Sequence, residues 1–515
     1  LAEKVEIKET GCTGFCEQGP TVTVYPDEIL YCKVKPEDVP EIVSRTLRRK
    51  KVVARLLYRD PATGRRTRRL EDIPSYKRQL RLLLKNNARI DPRNIEDYIG
   101  QGGYQALPKA LLDMKPETVI EEIKNANLRG LGGGGFPTWL KWVTTREAQG
   151  EPKYIIANCA EGDPGAFVDR ALIEDNPHSV LEGLIIGAYA IGADAGYVYV
   201  REEYSRAVES ITAALDQAQR YGFLGENIIG SSFNFSVKIH RSAGAYVSGE
   251  SSALMTAIEG KLGEPRPKYI HTAVKGVWGK PTCLNNVKTL AAVPIIISNG
   301  AESFRILGTK GSSGTAIFSL SGRINNTGLV EVPMGTTLRD LVYKVGGGIK
   351  NGKSFKAMQV GGPSGGFISE EHLDLPVDFD ELTKIGSMMG SITVIDEDTC
   401  MVDAAKYFVD FLLEESCGKC IPCREGLRVL SGTLDDICRG RGRDADTNII
   451  MDVAEAMKEA SLCALGRYAT SPVLTSMKYF RDEWQRHLVE KRCPIKAENS
   501  TREIAGSATS TPSKG

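Results

Sequence analysis

No run of about 18 uncharged apolar residues occurs in this chain, so no membrane-spanning helix is expected. Nor is there an excess of either charge: 66 Lys and Arg face 65 Asp and Glu, which removes any electrostatic case for nucleic acid or an anionic membrane as the main partner. The opening residues, LAEKVEIKET, put charges where the apolar core of a secretory signal would sit, so a reducing, cytoplasmic setting is expected. A G-x-G-x-x-G loop between a strand and a helix is also missing, so no Rossmann site is expected. With 515 residues, one ordinary core is excluded and two to four domains are expected.

Cysteine and glycine are plentiful and unevenly placed. In a reducing setting the twelve cysteines point to metal ligands or catalytic thiols rather than disulfides. The 53 glycines cluster, which suggests close backbone approach to ligands.

Residues 1–50 look like the end of a small α/β unit: VTVYPDEILY reads as two short strands around a Pro-Asp turn and PEDVPEIVSRTLR as a helix. Residues 51–104, rich in Arg and Lys without an apolar period, read as a linker or a segment wrapped over a neighbour. Between 105 and 309, buried strands (KYIIAN, AGYVYV) alternate with helices (SVLEGLIIGAYAIGA, EYSRAVESITAALDQAQRYG), the pattern of a layered α/β domain. Short strands, Gly-rich turns and the helix TTLRDLVYKVG make 310–395 a β-grasp-like module. Residues 396–493 read as helical, with Val473, Met477, Phe480, Trp484 and Leu488 along one face of a single helix. The polar stretch 494–515 is expected to be disordered.

Four motifs carry chemistry. ESCGKCIPCREG supplies Cys417, Cys420 and Cys423, and Cys463 follows in SLCALG. Three thiols two residues apart wrap three corners of a [4Fe–4S] cube, and a remote cysteine closes the fourth. Structural zinc is the alternative, but its cysteines usually come as two separated pairs. NLRGLGGGGFPTWLKW combines Gly130, Gly132 and Gly133 with a stacking face at Phe136 and a positive donor at Lys141. NCAEGDPGAFVDR places Asn158, Glu161, Gly162 and Asp163 after a strand, and its acids suit the hydroxyls of a ribityl chain or a ribose; a solvated acidic loop is the bland alternative. GAYVSGESSAL (Tyr246, Gly249, Glu250) and GKPTCLNNVKTL (Asn285, Asn286) offer small and amide groups suited to a flavin's polar edge.

In this order, over about residues 100–490, these motifs resemble the NADH-binding flavoprotein subunit of respiratory complex I and its relatives in NAD(P)-linked, some electron-bifurcating, hydrogenases and formate dehydrogenases. The resemblance implies an FMN-binding α/β domain, a ubiquitin-like module and a C-terminal helical bundle carrying [4Fe–4S] on Cys417, Cys420, Cys423 and Cys463. It implies that the glycine loop (Gly130, Gly132, Gly133) and Lys141 hold FMN. Asn158, Glu161, Gly162, Tyr246, Gly249, Glu250, Asn285 and Asn286 would line the flavin, with Phe136 and Asp163 facing the nicotinamide nucleotide. Hydride would pass between NAD(P)H and FMN, and single electrons onward through the cluster.

Residues 1–45 resemble the C-terminal half of a thioredoxin-like [2Fe–2S] domain, with Cys12 and Cys16 as its second cysteine pair. That cluster is expected only if the chain lacks its true start, with Cys32 a weak substitute. Where the family has Gly-Glu-Glu this chain has Gly249-Glu250-Ser251; His271 stands for a stacking Phe, Lys288 for a Glu and Ala160 for an Asp, while Leu131 stands for an Arg. The nucleotide side thus exchanges negative for positive charge, which favours NADP(H) over NAD(H). Expected partners are other subunits of a redox complex: a small thioredoxin-like [2Fe–2S] subunit, an iron–sulfur catalytic or relay subunit, and ferredoxin. A non-catalytic electron relay with a dead nucleotide site is the competing reading.

Overall fold

The computed structural model describes residues 5–61, 63–242, 244–267, 269–386 and 390–495. The stretch expected to be disordered lies, from residue 496, outside the described residues.

Four strands form a parallel sheet: β1 (Tyr154–Cys159), β2 (Ala195–Arg201), β3 (Ser236–Ser242) and β4 (Thr282–Asn286), in spatial order β3-β2-β1-β4. The interior of β1, Ile155 to Ala157, is buried on both faces, as a covered parallel sheet requires. The chain steps outward from β1 to β3, then returns to the other side of β1 for β4. The winding therefore reverses between β1 and β4, and at the carboxyl ends of these two strands Asn158 lies in register with Asn286. In open α/β sheets that reversal opens a ligand crevice.

The helix Pro177–Ile191 is buried at every residue but Tyr189, so it needs no polar face, and it stops at Gly192 in the left-handed region. It crosses the helix Val287–Asn299 at Gly183, where a Cβ would lie 2.0 Å from the Leu290 carbonyl oxygen. Only hydrogen fits there.

A second sheet holds β5 (Thr315–Gly322), β6 (Gly328–Pro333), β7 (Phe355–Val360), β8 (Phe367–Ser369) and β9 (Ile392–Asp396), in order β6-β5-β9-β7-β8. Its central pair, β9 and β5, is parallel and its other pairs are antiparallel, with the helical turns 338–345 between β6 and β7, as a β-grasp module requires. The C-terminal region is built on helices Met401–Glu414, Ile421–Cys438 and Asp446–Ala460.

Two expectations are corrected. The single helix through Val473 and Leu488 is two, Ser471–Tyr479 and Arg481–Leu488, broken at Phe480 (φ −125°, ψ 46°). The break folds Trp484 back so that its indole N–H donates to Ser476 Oγ at 2.9 Å, satisfying both buried groups. Residues 51–104 are no free linker: they wrap this chain's own domains. Leu83, Leu84, Ile90, Ile95 and Tyr98 join the main core, and the backbone N–H groups of Leu83 and Leu84 donate to the buried Glu331 carboxylate at 2.9 Å. Tyr98 donates to buried Glu182, which also accepts from the N–H groups of Tyr104, Ala106 and Leu107. In residues 5–50 the hairpin Val22–Val24/Ile29–Tyr31 and a helical stretch form as expected. Among the described residues that hairpin is a two-stranded sheet, extended by one antiparallel bridge from Tyr31 to Leu57.

Candidate functional site

The crevice between β1 and β4 is a cavity of about 270 Å³. It gathers Gly132, Asn158, Glu161, Gly162, Asp163, Tyr246, Gly249, Glu250 and Asn286 from four segments far apart in sequence. The β-grasp module closes one side with Ile317, Ser364, Gly390 and Ser391.

Bare backbone makes the wall. A Cβ on Gly132 would sit 2.9 Å from Asn286 Cβ, one on Gly162 2.9 Å from the Tyr246 ring, and one on Gly249 3.0 Å from the Ala160 carbonyl oxygen. Asn158 is fixed by donating to the Gly249 carbonyl and accepting from the Ala160 N–H. Glu161 accepts from the N–H groups of Val168, Asp169 and Arg170 at the start of the helix Val168–Asp175. Burial, with Asp169 beside it, nonetheless pushes the Glu161 carboxyl well above the usual range. Burial likewise pushes Asp163 up to about 6, against a hydrogen bond from Tyr246 and the charge of Lys288. Glycine-lined backbone beside amides, a phenol and carboxyls fits a flat ring with a polar edge and a hydroxyl-bearing chain.

Several expected residues stand behind this wall instead. Gly130 closes the glycine loop, its N–H donating to the Phe136 carbonyl at 2.8 Å, and Gly133 takes a φ of 112° within that loop. The Lys141 ammonium donates to the Leu284 carbonyl at 2.7 Å. Asn285 points to the opposite face of β4 from Asn286 and accepts from the Trp142 indole N–H at 3.0 Å. Phe136 and His271 are exposed, and Ser251 opens the helix Ser251–Ile258, its hydroxyl donating to Glu250. Lys288, read from sequence as a nucleotide-side charge, lies in the cavity wall, its ammonium 3.0 Å from Asp169.

A second hollow is lined by Cys417, Cys420, Cys423 and Cys463, which the fold brings together from two loops. The first three precede and open the helix Ile421–Cys438; Cys463 caps the helix Ala464–Tyr468. Gly466 leaves the space: a Cβ there would lie 3.0 Å from Cys423 Cβ. All four are free thiols, and burial pushes Cys423 up to about 12. Four convergent sulfurs without a disulfide are the donor set of a tetrathiolate centre.

The two hollows share Val247 and Leu465, so one layer of apolar side chains separates them. Sequence reasoning missed this wall, because neither residue carries chemistry of its own. It also missed a smaller group in which Cys400 Sγ, a His487 ring nitrogen and Cys493 Sγ lie within 4.8 Å of one another. Cys12 and Cys16 lie side by side in an exposed turn, where hydrogen bonds from Cys16 and the Gly14 N–H hold the Cys12 thiol well below its ordinary value. Cys32 is buried beside Phe15, Leu30 and Tyr58.

A glycine-walled crevice at the reversal of a parallel sheet, next to a four-cysteine hollow, defines a flavin- and cluster-bearing component of an oxidoreductase. Comparison with known proteins bears this out. The Nuo51 FMN-binding domain matches residues 123–295, the NADH-ubiquinone oxidoreductase-F iron-sulfur binding region 403–487, and the SLBB domain 317–368. The chain is 47% identical over 420 residues to HndC, of the NADP-reducing hydrogenase of Solidesulfovibrio fructosivorans, covering 81% of this chain and 85% of that one. To the NADH-quinone oxidoreductase F 2 subunit of Rhizobium meliloti it is 44% identical over 416 residues, 80% of this chain and 99% of the other. A solved NAD⁺-reducing [NiFe]-hydrogenase in the H2-reduced state superposes with a TM-score of 0.71 at 30% identity, covering 96% of this chain and 81% of its counterpart. The chain belongs to the family of NADH-quinone oxidoreductase F subunits and their hydrogenase relatives, whose cofactors are FMN and [4Fe–4S]. Among the described residues no helix is long and apolar enough to cross a membrane.

Proposed function

We propose that the crevice holds FMN, that the four-cysteine hollow holds the [4Fe–4S] cluster, and that the chain moves electrons between NAD(P)H and partner subunits of a larger redox complex. The observation that carries this reading is the sharing of Val247 and Leu465 by the two hollows. Bound FMN supplies the hydride chemistry with the nicotinamide and the change from electron pairs to single electrons. The protein orients, tunes and excludes water. Gly132, Gly162 and Gly249 let the ring lie against backbone, and Asn158 and Asn286 present amides from the sheet edge. Functionally the chain divides into a flavin domain (105–309), a β-grasp lid (310–395) and a cluster domain (396–493), with 5–50 and 51–104 strapped across the first two.

The preferred nucleotide is NADP(H). Lys288 no longer supports this, since its ammonium is committed to Asp169. Ser251 and exposed His271 do: serine sets no fixed negative charge against a 2′-phosphate, and the imidazole offers a donor. HndC is named as part of an NADP-reducing hydrogenase.

Anaerobic titration of the FMN- and cluster-loaded protein with NADPH and, separately, NADH tests the reading through bleaching of the flavin band. Preferential bleaching by NADPH is expected. Preference for NADH overturns the nucleotide assignment, and no bleaching by either, with FMN bound, replaces it with the electron-relay reading.

A further inference from the structure

Lys288 sits just inside the helix that follows β4 and is the only Lys or Arg among the described residues lining the crevice. Its side chain is 11% exposed and its ammonium lies 3.0 Å from Asp169 Oδ1. Asp169 is itself buried, and its other oxygen accepts from Asn286 Nδ2 at 2.5 Å, which ties the ion pair to the sheet edge. Glu161, Asp163 and Glu250 share the same wall. Burial alone would lower the ammonium's pKa, but Asp169 and Glu161 outweigh it, so Lys288 stays charged.

A charge held in low dielectric acts strongly on any other charge formed beside it. The Asp169 link, backed by Asn286, fixes this one in place. Reduced flavin is anionic at neutral pH, whereas oxidised flavin is neutral. Without Lys288, the charged side chains lining the wall among the described residues would all be acids, and acids oppose the reduced form.

We infer that Lys288 sets the reduction potential of the flavin, its buried ammonium favouring the reduced state over the oxidised one. This rests on the assignment of the crevice to FMN.

The test is anaerobic spectroelectrochemical titration of the flavin band in the loaded full-length protein and its variants. Lys288→Met is expected to shift the preference toward oxidised flavin at least tenfold, about 30 mV lower for a two-electron couple. Lys288→Arg, which keeps the charge, is expected to stay near the parent. The double variant Asp169→Asn/Lys288→Met, which removes both charges, is expected to recover much of the loss. Should Lys288→Met fail to retain flavin, Lys288→Gln carries the same comparison.

A potential within threefold of the parent in the neutral variant, or an equal fall in Lys288→Arg, overturns the inference. Gly132→Val separates this failure from that of the underlying reading. If Gly132→Val retains its full complement of FMN, the crevice assignment is wrong. If it loses FMN while Lys288→Met leaves the potential unmoved, the crevice stands and the role of Lys288 falls.

Discussion

Gly183→Ala puts two opposing effects on one atom. In the interior of an exposed helix this substitution stabilises by about 1 kcal/mol, because glycine loses more backbone freedom on folding. At Gly183 the new methyl would lie 2.0 Å from the Leu290 carbonyl oxygen and 2.7 Å from its carbon. The two helices would have to part by roughly 1.5 Å to restore ordinary contact. Both are buried, so nothing nearby can give way cheaply. Overpacking of this kind costs about 3 kcal/mol, so a net loss of about 2 kcal/mol is expected. In a domain of this size that lowers Tm by roughly 4–8 °C. The displacement also reaches the crevice, because Leu290 lies on the helix that starts beside Asn286 and carries Lys288. Flavin affinity is therefore expected to fall severalfold. Gly432→Ala is the internal control: Gly432 lies within the helix Ile421–Cys438 and its Cβ would meet nothing within 4 Å. It should stabilise by about 0.5–1 kcal/mol. Differential scanning fluorimetry and flavin fluorescence quenching read both quantities. A Gly183→Ala protein as stable as the Gly432→Ala protein, with unchanged flavin affinity, would refute the reasoning.

Cys463→Ala is expected to cost the [4Fe–4S] cluster while sparing FMN, since Cys463 lines only the cysteine hollow; iron and acid-labile sulfide per flavin measure it, and full iron content would count against the ligand set. Glu331→Ala leaves the Leu83 and Leu84 N–H groups unpaired in the interior at about 1–3 kcal/mol each, so the strap around residues 80–90 should become the first site of limited proteolysis. Burial pushes His178 down to about 4, so between that value and about 6.5 the unfolded chain binds more protons than the folded one. Stability should accordingly decline as pH falls through that window, by up to roughly 3 kcal/mol. His178→Gln should flatten the slope seen in urea unfolding at pH 7.5 and pH 5.

Much of this architecture is written in local pattern. KYIIAN and AGYVYV are strands because β-branched and aromatic residues fill a sheet buried on both faces, and the cysteine spacing alone singles out Cys417, Cys420 and Cys423. What local pattern cannot carry is the direction a side chain takes once neighbours are in place. Asn285 and Asn286 are alike as residues, yet one meets Trp142 and the other the crevice, because alternation along β4 sends them to opposite faces. Lys288 reads in sequence as a charge for the nucleotide, yet Asp169, more than a hundred residues earlier, stands beside it and holds its ammonium. Residues 51–104 show no apolar period because the segment is neither helix nor strand for most of its length; Leu56, Leu83 and Leu84 are buried by a path rather than by a face. The break at Phe480 was hidden for a related reason, since a helical stripe through Trp484 is continuous in sequence and only the bond to Ser476 shows where it folds.

The partition of Val247 and Leu465 sorts particles by mass. Electrons tunnel through a single layer of packed hydrocarbon, whereas a hydride, a proton or a water molecule needs a path of open space or hydrogen-bonding groups, which two apolar side chains do not offer. With FMN in the crevice and the cluster in the cysteine hollow, as proposed, chemistry with the nucleotide would stay on one side and charge would leave on the other, and the wall would work as a one-particle gate without moving. Enlarging the gap, by trimming Leu465 to alanine, would admit water to a boundary whose usefulness depends on being dry.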